Sequence, residues 1–367
     1  MDPSAQISQH ANAEPVDATS YFEFWPTWLM YLPVMLAWPW WALRYRSLML
    51  PFIANPSIFL AGMVGGSKEE VMSQARGDLQ AAILPWCSWV KNTDPSDKQA
   101  RKIIELAASH NIHLPFVCKP DTGCRGAGVK CIHNDAQLAS AIECYSEGAK
   151  VIIQQLADYS PEVGIFFVRD GADQKAGRVV SLTFKETPHV TGDGESTLCE
   201  LVSQDARMYE LLHLYQSRNQ TRWQQVIAKG ETVELLFSAS HCRGAVFTDA
   251  REHITPALNA TINRWMADFP EFNYGRMDVK YANLASLKAG EQLQVVEING
   301  ASSESIHIWD KNAKLLDALK TLLWQYRTLF LLGNRERAKG KCPPRLMTLI
   351  KAWRRERALT RHYPETD

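Results

Sequence analysis

The chain lacks a net charge: forty Lys and Arg residues balance forty Asp and Glu over 367 positions. That excludes a nucleic-acid binder that works by bulk electrostatics. It also lacks any CxxC or Cys/His ligand spacing. Its eight cysteines are scattered, which argues against a zinc site and a disulfide framework and fits a reducing cytoplasm. No basic start precedes an apolar core in the first 20 residues, which are polar and acidic and read as a disordered leader rather than a signal peptide. Both familiar phosphate loops are missing. Gly123 and Gly128 have P-loop spacing, but Val129 stands where the lysine belongs. Gly126-Ala127-Gly128 is followed by Cys131 where a dinucleotide fingerprint needs its third glycine. No internal repeat is evident. With 22% charged and 46% hydrophobic residues, the composition is that of an ordinary folded protein of roughly two or three subdomains.

One stretch has no charge at all. From Phe24 to Leu43 the chain crowds Trp25, Trp28, Trp38, Trp40 and Trp41 into a run long enough to span a bilayer. Pro26, Pro33 and Pro39 interrupt it, and tryptophan prefers the lipid-water interface. Three readings stand, in this order: interfacial or re-entrant membrane attachment, a soluble aromatic core segment, and a true span. Arg44 and Arg46 behind it would keep the downstream chain cytoplasmic. At the other end, the residues from Arg335 onward hold ten lysines and arginines against four acids. Leu346, Met347, Leu349, Ile350 and Trp353 share one helical face there, which fits either an anionic membrane surface or a solvated helix. The expected location is cytoplasmic, peripheral on the cytoplasmic face of a membrane.

Between these ends, "SIFLAGMVGG" reads as a strand and turn. Ser67 and Glu70 make a capping box for a helix through about Gln80. Helices are expected over Lys98 to His110, Asp135 to Glu147 (closed by Gly148) and Ala313 to Leu332. "EVGIFFVRD" and "GRVVSLTFKE" form an antiparallel hairpin, and "GRMDVKYANL" and "EQLQVVEING" enclose a turn at Lys288 to Gly290. The expected division is a leader (1–20), the aromatic segment (21–56), a reduced N-terminal domain (57–112), a central domain (113–312) and C-terminal helices with a basic tail (313–367).

Chemistry gathers in the last two strands. Residues two apart on a strand share a face, so Arg276, Asp278 and Lys280 lie together, as do Glu297 and Asn299. If the strands pair, two carboxylates and an amide oxygen converge. That is a hard-oxygen set suited to Mg2+, with Arg276 beside it to stabilise a transferring phosphoryl group. Charge inside the apolar run "VVEING" is costly without such a task. Earlier, "PFVCKPDTGCRGAGV" ends a strand in Lys119 and breaks into glycines.

Taken together these features resemble the ATP-grasp superfamily. Lys119, the glycine loop Asp121 to Gly128, the strand "VIIQQLADYSPEVGIF", and Asp278 with Glu297 and Asn299 follow in the family's order. The match covers about Leu114 to Ile308. The lysine-loop pair and the magnesium hairpin are most similar to D-alanine-D-alanine ligases, and "HVTGDGESTLCELV" resembles a stretch of cyanophycin synthetase. The resemblance implies an α+β to α/β chain in which two lobes clasp ATP. It further implies that Lys119, Thr122, Gly123, Arg125, Gly126 and Gly128 meet the phosphates and that Gln154, Gln155 and Leu156 form the adenine hinge. Glu162 would meet ribose, and Lys185 would be a second phosphate lysine. Asp278, Glu297 and Asn299 would hold two Mg2+, which Mn2+ can replace. Arg243 is the candidate to hold a carboxylate or stabilise a tetrahedral intermediate; a solvated arginine is the alternative. His189 and His241 are bases or hydrogen-bonded structural residues, and Cys124 reads as a small incidental side chain. The implied activity is an ATP- and Mg2+-dependent ligase. It would join a small carboxylate to an amine or thiol through an acyl-phosphate, on an amino-acid or envelope-related substrate at a membrane surface. A membrane-associated ATP-binding regulator without ligase activity is the alternative.

Overall fold

The computed structural model describes residues 22, 25–123, 127–171, 176–237, 244–269, 271–364 and 366. It is an α+β chain built on antiparallel sheets, as the sequence predicts. Four strands, β1 (Trp86–Val90), β2 (Phe116–Pro120), β3 (Lys130–Ile132) and β4 (Lys150–Gln155), form one sheet in the order β1-β4-β2-β3. The larger sheet has five: β5 (Glu162–Val168), β6 (Arg178–Glu186), β9 (Val246–Asp249), β10 (Tyr274–Tyr281) and β11 (Leu293–Asn299), ordered β11-β10-β5-β6-β9. A separate ladder pairs β7 (His189–Thr191) with β8 (Thr232–Glu234) over its own small core of Leu198, Tyr215 and Trp223.

Alternation gives each large layer one apolar face and one polar face. In the small sheet Cys87, Phe116, Cys118, Val151 and Ile153 pack on helices Ser96–Ser109 and Asp135–Cys144. In the large sheet Val163, Ile165, Met277, Val279 and Val295 pack on helix Pro256–Ala267. The opposite faces carry Lys119 and Gln154 on one sheet and the charged residues of β5, β6 and β10 on the other.

Several local expectations change. "SIFLAGMVGG" is not a strand but a tight 3-10 turn, Phe59–Gly62, with Leu60 and Ala61 at positive φ. The buried Asn55 amide explains it: Nδ2 donates to the Ala61 carbonyl (3.2 Å) and to the Tyr274 carbonyl (2.8 Å), so tertiary contacts override local preference. The Ser67-capped helix stops at Met72, and a second one covers Gly77–Ala82. Between β10 and β11 stands a short helix, Leu284–Ala289, capped by Asn283 and closed by Gly290 at φ 72°. The hairpin of β5 and β6 is present. The helices at Ser96–Ser109, Asp135–Cys144 and Leu315–Ala338 also form, with shifted ends.

The aromatic segment folds as helices Thr27–Met30 and Leu32–Tyr45 laid along helix Leu315–Ala338. Phe330 of the long helix lies between Trp38, Trp41 and Tyr45, with ring centroids 5.1, 5.7 and 6.1 Å away. Among the described residues no helix is long and apolar enough to cross a membrane.

Candidate active site between the two sheets

Strand β11 sets the site through one irregularity. Its pairing with β10 runs Val295↔Val279, then Glu297↔Asp278 and Asn299↔Arg276, leaving Val296 as an extra bulged residue. Strict alternation from Val295, which faces the apolar core, would bury Glu297 and Asn299 on that same side. The bulge changes the phase, so both turn to the polar face, opposite Asp278 and Arg276. It also takes the Val296 carbonyl out of the regular ladder, and Lys119 Nζ from the other sheet donates to that oxygen at 3.1 Å. The two sheets meet at this contact.

Around it lies a network of charge. Arg276 donates to Asp278 through Nε (2.8 Å) and Nη2 (3.3 Å). Lys185 Nζ lies 3.5 Å from Asp278 and pairs closely with Glu162, whose other oxygen is 3.1 Å from Lys280. Lys68 Nζ stands 3.5 Å from Glu297. Burial pushes the carboxyls of Asp278 and Glu297 up. Arg276 and Lys185 for the first, and Lys68 and Lys119 for the second, more than reverse this and keep both below the ordinary range. Lys119 is lowered to about 8 by burial, against the attraction of Glu297.

Lys119 also donates to Gln154 Oε1 at 2.7 Å. Among the described residues, the Gln154 Nε2 group is buried without a partner. An orphaned donor beside a buried cation fits an acceptor supplied by a bound molecule. Gln155, expected in the same hinge, faces the other side of the sheet, where its Oε1 accepts the His113 N–H at 2.8 Å. Leu156 follows directly on the end of β4. Glu162 stands between Lys185 and Lys280.

The described part of the glycine loop is tied at both ends. The Thr122 carbonyl accepts from Tyr363 Oη, and the Gly123 carbonyl accepts from Lys68 Nζ at 3.2 Å. Gly128, at φ 74°, donates its N–H to Thr366 Oγ1 (2.9 Å), and its carbonyl accepts from Tyr145 Oη (3.0 Å). A Cβ at Gly128 would come within 3.2 Å of both Pro120 and Tyr363, so glycine is required there by conformation and by space. Arg125, Gly126 and Arg243 lie outside the described residues, as do Cys124, His241 and the leader.

Sequence reasoning missed Lys68, which touches both the loop and Glu297; its only signal is its place just after the capping Ser67. It also missed Glu304. The Glu304 carboxylate accepts from Tyr31 of the aromatic segment and from Trp309 Nε1 (2.9 Å), while its carbonyl accepts from Arg276 at 3.4 Å. His189 is exposed, with Nδ1 against the Thr187 carbonyl, and stands on the separate β7-β8 ladder.

A metal ion is implied by the family resemblance. Among the described residues no cluster of three or more His, Cys, Asp and Glu side chains is assembled to hold one. The donors are instead two carboxylates in direct register and the neighbouring Asn299 amide, whose Nδ2 reaches Asp278 at 3.5 Å. With the Asn299 amide turned to present Oδ1, the set is all oxygen and short of a full shell, which fits Mg2+ that completes its octahedron with water and phosphate oxygens.

No protein-family model and no curated protein matches the chain. It is similar to several solved structures. A bifunctional glutathione synthetase from Pasteurella multocida is 16% identical with a TM-score of 0.35, over 70% of this chain and 36% of that one. D-alanine-D-alanine ligase from Bacillus anthracis is 14% identical with a TM-score of 0.42, over 77% and 72% of the two chains. The Coxiella burnetii D-alanine-D-alanine ligase is 9% identical with a TM-score of 0.39, over 82% and 64%. The chain thus spans about a third of the glutathione synthetase. Likeness at this level assigns it neither substrate nor activity.

Proposed function

We propose that the chain is an ATP- and Mg2+-dependent ligase that joins a small carboxylate to an amine or thiol through an acyl-phosphate. What carries this reading is the charge of the cleft. Lys68, Lys119, Lys185, Arg276 and Lys280 stand against Glu162, Asp278, Glu297 and Glu304, five cations to four carboxylates, on a chain with no net charge. That local excess of positive charge, with the orphaned Gln154 amide beside Lys119, favours a magnesium nucleotide, itself a net anion, over a salt-bridge ladder, which would balance.

In this reading Asp278, Glu297 and Asn299 hold Mg2+, which when bound screens the phosphates from one another and from the attacking oxygen. Lys119 and Lys185 meet phosphate oxygens, and Arg276 stabilises the phosphoryl group in flight. The glycine loop covers the phosphates and excludes water. A carboxylate oxygen takes the γ-phosphoryl group and ADP leaves; the amine or thiol then displaces phosphate. No protein nucleophile is needed, since positioning and charge neutralisation supply the catalysis.

The test is ADP and phosphate release with a panel of small carboxylates and amines. Asp278→Asn and Glu297→Gln should each lower Mg2+-dependent turnover by at least about a hundredfold with the far-UV spectrum unchanged. Full activity in either variant sinks the site assignment. A wild-type chain that binds ATP but releases no phosphate with any acceptor replaces the ligase by an ATP-binding regulator.

A further inference from the structure

We propose that the outward face of the N-terminal aromatic helices is a docking surface for an anionic bilayer, lying in the headgroup region rather than crossing it. The structure divides the tryptophans that the sequence left undivided. Trp38 and Trp41 pack on Phe330. Trp28, Leu36, Trp40 and Leu43 point away from the core, 62, 71, 67 and 76% exposed, with Leu32 at 37% between them. Leu32, Leu36, Trp40 and Leu43, spaced by four, four and three residues, share one face of helix Leu32–Tyr45, about 16 Å long at the α-helical rise, with Trp28 on the short helix before it. A surface helix ordinarily turns polar groups outward, and apolar faces of this extent mark interaction sites.

Charge selects the partner. From Trp25 to Lys68 there is no acidic residue, while Arg44 and Arg46 stand exposed just beyond the apolar face. Indoles and long apolar side chains beside arginines match the boundary between acyl chains and anionic headgroups. A second copy of the chain would need the apolar face but not the one-sided charge. With no described helix able to cross a membrane, the face lies on the bilayer.

The C-terminal helix is a second basic apolar element. Helix Leu346–Thr360 buries none of its side chains and exposes Leu346, Met347 and Trp353 among Lys351, Arg354 and Arg355. It is anchored by Glu356, which accepts the Gly65 N–H at 2.7 Å. A Cβ at Gly65 would meet Ala352 of this helix at 3.6 Å and the exposed Phe59 at 3.7 Å, so the tail packs beside the turn at 59–65 that follows the aromatic helices. Two weak attachments on one body bind far more tightly than either alone.

The proposal is independent of the ligase reading and is tested on the full chain. Sedimentation with phosphatidylcholine vesicles, with and without phosphatidylglycerol, should show binding that requires the anionic lipid and weakens with salt. Leu36→Glu/Trp40→Glu should reduce that binding at least about tenfold while Tm and the far-UV spectrum stay unchanged. Arg44→Glu/Arg46→Glu should weaken the preference for anionic lipid, and adding Arg354→Glu/Arg355→Glu should weaken it further. Three results overturn it: no binding by the wild-type chain, binding indifferent to Leu36→Glu/Trp40→Glu, or a concentration-dependent dimer that this variant dissociates. Binding that emerges only after residues 1–20 are deleted assigns the face to that segment and overturns it too.

Discussion

Lys119 is a cation placed where its charge is hard to keep. Burial brings it from 10.5 to about 8, so in the free protein the ammonium is being lost at mildly alkaline pH. If that charge receives phosphate, kcat/KM for ATP should fall as pH rises through about 8. Stability should move the other way. The unfolded chain holds the proton up to about 10.5 and so binds more protons between the two values, and Tm should rise over that window. Lys119→Arg, always charged, should remove the alkaline fall, whereas an unchanged fall would exclude Lys119 as its source. Lys68 is a partner of a different kind, since it grips the loop carbonyl of Gly123 and the carboxylate of Glu297 together. Lys68→Met should raise KM for ATP by about tenfold with a smaller effect on kcat, because it frees the loop at Gly123 more than it disturbs the reacting groups. A loss confined to kcat would put Lys68 on the transition state instead.

At the scale of elements, β11 shows how much the sequence reveals and where it stops. Two-residue alternation brings Arg276 with Asp278 and Glu297 with Asn299, and the pairing of β10 with β11 joins the sets. The sign of the bulge is also written there: Val295 and Val296 are adjacent apolar residues, a break in alternation immediately before Glu297. What no local pattern carries is the use made of the freed carbonyl, because its partner Lys119 lies 177 residues away on another sheet. The 3-10 turn at Phe59–Gly62 was illegible for the same reason, its conformation being held by Asn55 and Tyr274. Deleting Val296 separates the two functions of the bulge. Glu297 would still face Asp278 in a regular ladder, so Mg2+ dependence should persist. Lys119 would lose an acceptor that favours its charged form, so the alkaline fall in kcat/KM should move to lower pH. Loss of metal dependence in that variant would show that the bulge shapes the carboxylate pair itself.

On the scale of the whole molecule, the aromatic segment is both of the things its composition allowed, on opposite sides of one helix. Inward, it is core: Met30, Val34 and Trp41 are buried with Phe330, Ile308 and Trp309. Through Tyr31 it reaches Glu304, one residue's length from the carbonyl that Arg276 contacts, so the strap and the site share a wall. Outward, it leaves Trp40 and Leu43 in solvent. Neighbouring tryptophans therefore make an internal control. Trp41→Ala empties a packed aromatic cluster and should cost about 3–5 kcal/mol in denaturant unfolding, with the slope retained. Trp40→Ala removes an exposed ring and should stay within about 0.5 kcal/mol. The two should exchange rank when vesicle binding is measured on folded protein, with Trp40→Ala the weaker binder. Equal stability losses would mean that the helix is covered on both sides, and the outward face would then be core as well.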